Sequence, residues 1–436
     1  VSVALTRMKS DPVLVIKWIL WPLAILTLLQ RLIVLVPNRA KTDDFTTVYT
    51  AAVRFLRHEP VYVENYDTVD PHYLYAPSGS LLMAPFGYFD PETARNIFVA
   101  LSTIALLVAL YVMLRMFGYG LNSAVAPAVL FFAVMTEAVT NTLVYTNFNL
   151  FLLLAEVVAM ALLLKRKDLW AGVPLGLSFA VKPLLAVFLL LIILNRQWKA
   201  LITAISVPVV LLGIGWALAA DPESYIDRTM PYLGQARDYY NSSISGNAAY
   251  FGLPDWLTLL LKAAVVVMAL ISVYLLYRYY RTSNELLWWS TSAGVLMTAM
   301  WLVGSLGQGY YSMLLFPMLM TVVFRSSVMT NWPAWLAVYG FLSYDFWLSG
   351  KWLALGRSLA YLKCTLGWTL LIVVTFCVLL YRYLDARAEG RLDQGIDRPL
   401  PPGDEPGQHE RHEPATVAAH TDTGDDGPVA PGVARG

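Results

Sequence analysis

Apolar residues fall into long runs near 13–35, 96–115, 121–139, 148–164, 200–219, 255–277, 286–304, 312–324, 333–348 and 364–381. A bilayer hydrocarbon core of about 30 Å takes roughly 20 such residues per helical crossing. The pattern predicts an all-α polytopic membrane protein with about ten transmembrane helices. An even number of crossings puts both termini on one side. No small-residue cleavage site follows the first run, so it reads as a retained helix and not as a signal peptide.

The polar gaps between runs set the expected orientation. Short gaps on one side hold Arg115, Lys165-Arg166-Lys167, Arg196 with Lys199, Arg278 with Arg281, Arg325, and Arg382 with Arg387. Lys and Arg collect in cytoplasmic loops, so the other side, with the two long polar stretches 36–95 and 220–254, is expected to be extracytoplasmic at the plasma membrane. Residues 170–195 break the alternation: they are apolar, interrupted at Lys182-Pro183, and flanked by basic clusters at both ends. If both ends are cytoplasmic, the stretch is a re-entrant helical hairpin with Lys182 at its tip, since Pro183 removes a helix hydrogen bond. The alternative is one straight span, which reverses the orientation of everything after it. In the first outer loop, Phe45, Val48, Ala51, Ala52 and Phe55 recur at helical spacing, so 45–57 reads as an amphipathic helix along the interface.

Composition agrees. The 436 residues are 58% hydrophobic and 14% charged, against about a quarter charged in a soluble domain. Mean hydropathy is +0.56. A net charge of +1 gives no sign of a nucleic-acid partner. Cys364 and Cys377 share one apolar run and build neither a disulfide framework nor a thiolate metal site. From about 388 onward the chain turns to Gly, Pro, Asp, Glu and His, so a membrane domain, 1–387, is expected to precede a disordered cytoplasmic tail, 388–436. His409 and His412 in that tail read as scattered solvated residues, and no metal-ligand set is assigned.

Candidate chemistry gathers on the outer side. Asp43 and Asp44 stand at the start of the amphipathic helix. An N-terminal Asp accepts backbone N–H bonds and complements the helix dipole. Capping explains one aspartate and leaves the other, which can serve as a general base if a bound hydroxyl lies within reach. His72, in the run Asp70-Pro71-His72-Tyr73-Leu74-Tyr75-Ala76-Pro77, can donate to a phosphate or sugar hydroxyl, although a lone His in an aromatic loop is more often structural. Lys182 is an ionisable group inside an apolar segment, which is costly and usually functional; snorkelling to the headgroups is its bland explanation. Arg237, Tyr239, Asn241, Gln308 and Tyr310 supply planar donors, acceptors and ring faces that suit polyhydroxylated ligands. Asn241-Ser242-Ser243 also matches a glycosylation acceptor. No Walker motif, dinucleotide fingerprint, GxSxG elbow or HExxH is present. An enzyme of this kind needs a substrate activated beforehand, and a lipid-phosphate-linked sugar meets that need.

Several stretches together resemble the actinobacterial polyprenyl-phosphate-dependent membrane glycosyltransferases, and among them the mycobacterial α-(1→3)-arabinofuranosyltransferases. They are Asp43-Asp44-Phe45 through Tyr49, the run from Val69 to Pro77, Lys182-Pro183 with Asn195-Arg196-Gln197-Trp198, Arg237 through Ser243, Tyr250 through Pro254, and Gln308 through Met313. The likeness covers most of 15–395. It implies a GT-C fold with its catalytic residues on the first extracytoplasmic loop. It implies decaprenyl-phosphoryl arabinofuranose as donor and an α-(1→5)-linked arabinan as acceptor. Inverting transfer to the acceptor's 3-hydroxyl would make α-(1→3) branches in arabinogalactan and lipoarabinomannan. In the family the catalytic aspartate precedes a Phe and a downstream Tyr, which matches Asp44, with Asp43 second. His72, Lys182 and Arg237 are then candidates for the donor phosphate, and Tyr75, Tyr239, Asn241, Gln308 and Tyr310 for sugar contacts. Relatives often carry two prolines where this chain has Ala76-Pro77. No cofactor is assigned, and a divalent cation stays open. A second reading is a transporter or flippase of a polyprenyl-linked sugar, for which a broken helix is also a mark; a third is a non-catalytic scaffold of a cell-wall complex.

Overall fold

A computed structural model describes residues 12–38, 44–68 and 70–398. Asp43 and the region 399–436, which holds most of the expected tail, lie outside the described residues. Among the described residues there is no strand. The chain order is α1 (Pro12–Gln30), α2 (Asp44–Leu56), α3 (Pro77–Met83), α4 (Pro91–Met116), α5 (Val125–Met135), α6 (Glu137–Tyr145), α7 (Asn149–Leu164), α8 (Asp168–Val181) and α9 (Val187–Leu194). It continues through α10 (Trp198–Leu218), α11 (Ile244–Phe251), α12 (Asp255–Tyr280), α13 (Glu285–Val303), α14 (Trp332–Leu342) and α15 (Leu353–Ala388).

Six helices are long and apolar enough to cross a membrane: Val13–Asn38, Pro91–Met116, Trp198–Leu218, Asp255–Tyr280, Glu285–Val303 and Leu353–Ala388. Counting the bent pair α5 and α6 as one span brings the number to seven among the described residues. This is a multi-pass membrane protein. The runs expected at 148–164 and 333–348 form shorter helices, and the one at 312–324 is split into short helical turns, so length alone supports fewer than the expected ten crossings.

The run expected at 121–139 bends by 61° between α5 and α6. Thr136 turns extended there, and its hydroxyl accepts from Val139 N–H to start α6. Arg31 reaches across from the first span to Val134 O and Thr140 Oγ1, supplying a donor to a carbonyl left without its helical partner.

The chain folds back on itself between 168 and 197. Gln197 donates to Leu163 O at 2.9 Å and to Asp168 Oδ1 at 2.8 Å, so the chain leaves the hairpin beside the point where it began. The straight-span alternative does not fit. α8 and α10 run side by side in one direction. A Cβ on Gly172, early in α8, would meet Ala200 O at 2.5 Å, early in α10. Near their far ends, Ser78 donates to Ala180 O at 2.6 Å, while Gly215 lies against the backbone of Pro77. Glycine permits that backbone approach.

The basic gaps converge on one face. Arg166 pairs with Glu285 at 2.9 Å, Arg281 donates to Leu194 O, Arg382 to Ser326 O and Tyr280 Oη, and Phe117 packs on Phe324. The sequence alternation is thus a real sidedness. Spans α1 and α10 present mostly lipid-type surface, whereas α13 is the buried centre.

On the other face lies α2. Its Phe45, Val48, Ala51, Ala52 and Phe55 are all buried, as its periodicity predicts. They join a second apolar cluster with Tyr62, Tyr73, Phe98 and Phe148. Burying a large side chain there contributes about 1.5–3 kcal/mol, so α2 is anchored by its underside and holds its N-terminus at a fixed place.

Candidate active site

That N-terminus is Asp44, the first residue of α2. Asn147 donates through Nδ2 to Asp44 Oδ2 at 3.1 Å. Asn147 is buried, and its own Oδ1 accepts from Asn149 Nδ2 at 2.8 Å. The turn that presents it puts Thr146 at φ 56°, a left-handed conformation uncommon for a β-branched residue. Its N–H still caps α6 by donating to Thr142 O. Nothing local in the sequence marks Asn147; a polar Asn-Phe-Asn between two apolar runs was the available signal.

Asp44 faces a cluster of phenols. Burial raises the Tyr75 phenol well above its usual range, and the neighbouring charges of Asp44 and Tyr311 add to the effect. The Tyr75 ring sits edge-on to Phe148 and Tyr73, at 5.2 and 5.5 Å between centroids. Tyr310 lies within the electrostatic reach of Asp44, Tyr75 and Arg237. Tyr310 and Tyr311 both donate to Gln308 Oε1, the latter at 3.0 Å, so one side-chain carbonyl fixes two rings.

Lys182 completes the cluster from the hairpin tip. It is extended at φ −153° between α8 and Pro183. Its Nζ lies 4.7 Å from the Tyr311 ring centroid and 5.8 Å from that of Tyr310. Such cation–π contacts contribute about 0.5–2 kcal/mol. Among the described residues it has no carboxylate partner, which leaves its charge available to an anion.

Arg237 lies over the rings of Tyr232 and Tyr239, at 5.4 and 5.5 Å, and donates to Tyr232 Oη at 3.2 Å. Burial pushes the Tyr232 phenol up to about 12. Tyr239 is half-buried and reaches Thr68 O at 3.4 Å, which ties the two long polar stretches together.

Two of the expected ligand-binding residues are held elsewhere. His72 has a side chain only 3% exposed; Nδ1 pairs with Glu64 at 3.2 Å and Nε2 lies 3.1 Å from Thr68 O. Both ring nitrogens are occupied by the protein, so His72 braces its loop. Asn241 is buried, and its amide is fully used: Nδ2 donates to Arg237 O and Ser305 O, while Oδ1 accepts from Ser243 and Gly307 N–H. It braces two loops and is inaccessible as a glycosylation acceptor. Arg228, in the same long polar stretch, clamps the 36–95 stretch through Tyr62 O and Glu64 O at 2.7 and 2.9 Å. Among the described residues no three His, Cys, Asp or Glu side chains converge as a metal site.

The site thus combines a positioned carboxylate, two cations and phenol rings packed edge to face. A sequence model of "Glycosyltransferase family 87" matches residues 73–305. The chain belongs to glycosyltransferase family 87. It is therefore a glycosyltransferase. Curated relatives named "Alpha-(1->3)-arabinofuranosyltransferase" occur in Mycobacterium tuberculosis (strain CDC 1551 / Oshkosh), 52% identical over 386 residues, 88% of this chain and 89% of the relative. One from Mycolicibacterium smegmatis is 51% identical over 388 residues, 88% and 90% of the two chains. One from Corynebacterium glutamicum is 41% identical over 372 residues, 85% and 89%. No solved structure matches the chain. In this family 87 chain the matched span takes in Asn147, Lys182 and Arg237, while Asp44 lies upstream of it.

Proposed function

We propose that the chain transfers arabinofuranose from decaprenyl-phosphoryl arabinofuranose to the 3-hydroxyl of an α-(1→5)-linked arabinan, with inversion, on the extracytoplasmic face of the plasma membrane. The relatives' shared name supports the sugar and the linkage. The observation that carries the chemistry is Asp44, held by Asn147 on the same face as Lys182, which has no carboxylate partner among the described residues.

In this reading Asp44 takes the proton of the acceptor hydroxyl as that oxygen attacks the anomeric carbon. The bond from that carbon to the phosphate oxygen breaks, and decaprenyl phosphate leaves. A phosphate needs little or no proton to leave at neutral pH, so one base suffices. Lys182 and Arg237 balance the charge that builds on the leaving group. Tyr75, Tyr310 and Gln308 border the sugar, with Tyr239 at the margin. Asp43 would assist Asp44 or the acceptor. His72 and Asn241 act by holding the loops.

Sidedness rests on the converging basic gaps, which the positive-inside rule assigns to the cytoplasm. The shorter helices α7 and α14 and the turns at 309–323 are read as completing about ten crossings with the α8–α9 hairpin re-entrant. Irregular backbone at that depth is tolerated where protein covers it.

The test is transfer of labelled arabinose from the lipid donor to a synthetic oligoarabinan, with linkage analysis of the product. A new 3-linked branch is expected. An unchanged glycosidic bond would instead mark a transporter. Full turnover by a folded Asp44→Ala variant would remove the base assignment.

A further inference from the structure

The other end of the α8–α9 hairpin holds a feature that sugar transfer does not use. An open cavity of about 620 Å³ is lined there by Arg166, Lys167, Arg196 and Lys199, with Trp170 and Trp198 on its walls. One carboxylate, Asp168, also lines it, and that group already accepts from Gln197. Arg166 shares its charge with Glu285 at 2.9 Å. Lys167, Arg196 and Lys199 have no ion pair among the described residues.

Two further observations favour an anion. α8 and α10 both begin at this cavity, and neither is capped by the side chain of the residue before it, Lys167 or Gln197. Two parallel helix starts thus bring the positive ends of their dipoles beside four cations. The chain reaches each start through an arginine in left-handed conformation, Arg166 at φ 56° and Arg196 at φ 59°. Arginine gains nothing from that backbone, and such strain persists only where surrounding structure holds it.

The cavity's level is set by its tryptophans. Trp170 is 66% and Trp198 53% exposed, as indoles are at the boundary between hydrocarbon and headgroups. The Asp44 site lies at the far end of α8, a helix of about 21 Å at 1.5 Å per residue.

We propose that this cavity binds the phosphate headgroup of an anionic phospholipid in the leaflet opposite the Asp44 site. A general excess of basic residues accounts for how many cations lie on this face. It does not account for the gathering of two loops, 30 residues apart in sequence, around one concavity walled by indoles. Basic pockets between membrane helices are suited to anionic headgroups.

The experiment is thermal unfolding of the full chain in neutral detergent with added cardiolipin, phosphatidylcholine or inorganic pyrophosphate at matched phosphate. Cardiolipin is expected to raise the midpoint by several degrees, and the other two to leave it unchanged. The double variant Lys167→Glu, Lys199→Glu should abolish the shift. Lys165→Glu, exposed in the same loop but outside the cavity, should keep it. An equal shift with pyrophosphate overturns the lipid assignment, and equal loss in Lys165→Glu reduces the effect to diffuse surface charge. Absence of any cardiolipin shift also overturns it. Should the double variant not fold, Lys199→Ala examined by native mass spectrometry is expected to retain fewer cardiolipin molecules than the parent chain, and equal retention counts against the site.

Discussion

Asn147 donates to Asp44 across 103 positions of sequence, at 3.1 Å. The amide fixes one oxygen of a carboxylate at a helix start. Asp44→Asn should lower kcat by about 10²–10⁴-fold, the usual share of a general base, with an unchanged melting temperature. Asn147→Ala should lower kcat about 10- to 100-fold, one charged hydrogen bond's worth, and leave the donor KM close to its original value. A rise in KM alone would make Asn147 a binding residue.

Lys182 separates charge from bulk. Lys182→Met keeps the stem and removes the ammonium, so kcat/KM for the lipid donor should fall about 10- to 100-fold, the range for a hydrogen bond to a charged group. Lys182→Arg should recover part of it. Steady-state kinetics at fixed acceptor and varied donor decide this, and an unchanged donor dependence in Lys182→Met would assign Lys182 to packing on Tyr311.

Asn241→Ala is predicted to act on stability first. It strands the carbonyls of Arg237 and Ser305 and the N–H groups of Ser243 and Gly307. Orphaned buried groups cost about 1–3 kcal/mol each before water relieves them, so a loss of roughly 2–4 kcal/mol is expected. Differential scanning fluorimetry measures it. A variant that melts normally yet loses sugar binding would return Asn241 to the list of ligand contacts.

Glu64 gives a pH prediction. Burial raises its carboxyl above the usual value of 4.5, although Tyr73 N–H donates to it and His72 lies beside it. The folded state then holds the proton more tightly than the unfolded state. Its contribution to stability is complete below 4.5 and is lost as pH rises through the folded value. Acidification from neutral pH should therefore raise the melting temperature of the parent chain more than that of Glu64→Gln. Parallel curves for the two proteins would exclude this group as the source.

Much of this was legible in the sequence, for identifiable reasons. The face of α2 was readable because a surface helix must alternate what it buries and what it shows, and the five positions picked out by its periodicity are the five that are buried. The hairpin was readable because Lys182-Pro183 cannot sit inside a plain span and both flanks are basic. Other features were not local. Thr136 breaks a run that looks continuous, and Arg31, from another helix, joins Thr140 in satisfying the Val134 carbonyl that the break frees. The role of Asn147 depends on a carboxylate, and that of Asn241 on backbone groups, brought from distant segments. His72 has the chemistry of a phosphate ligand, but Glu64 and Thr68 already occupy its ring.

The closure of Gln197 onto Asp168 and Leu163 makes the hairpin an excursion rather than a passage. The chain resumes beside the point it left, so the placement of every later helix is indifferent to how far the excursion extends. Lengthening or shortening both arms together would raise or lower the lysine relative to the aspartate without inverting anything downstream. The distance between charge and base is thus an adjustable dimension of this architecture, set apart from its topology.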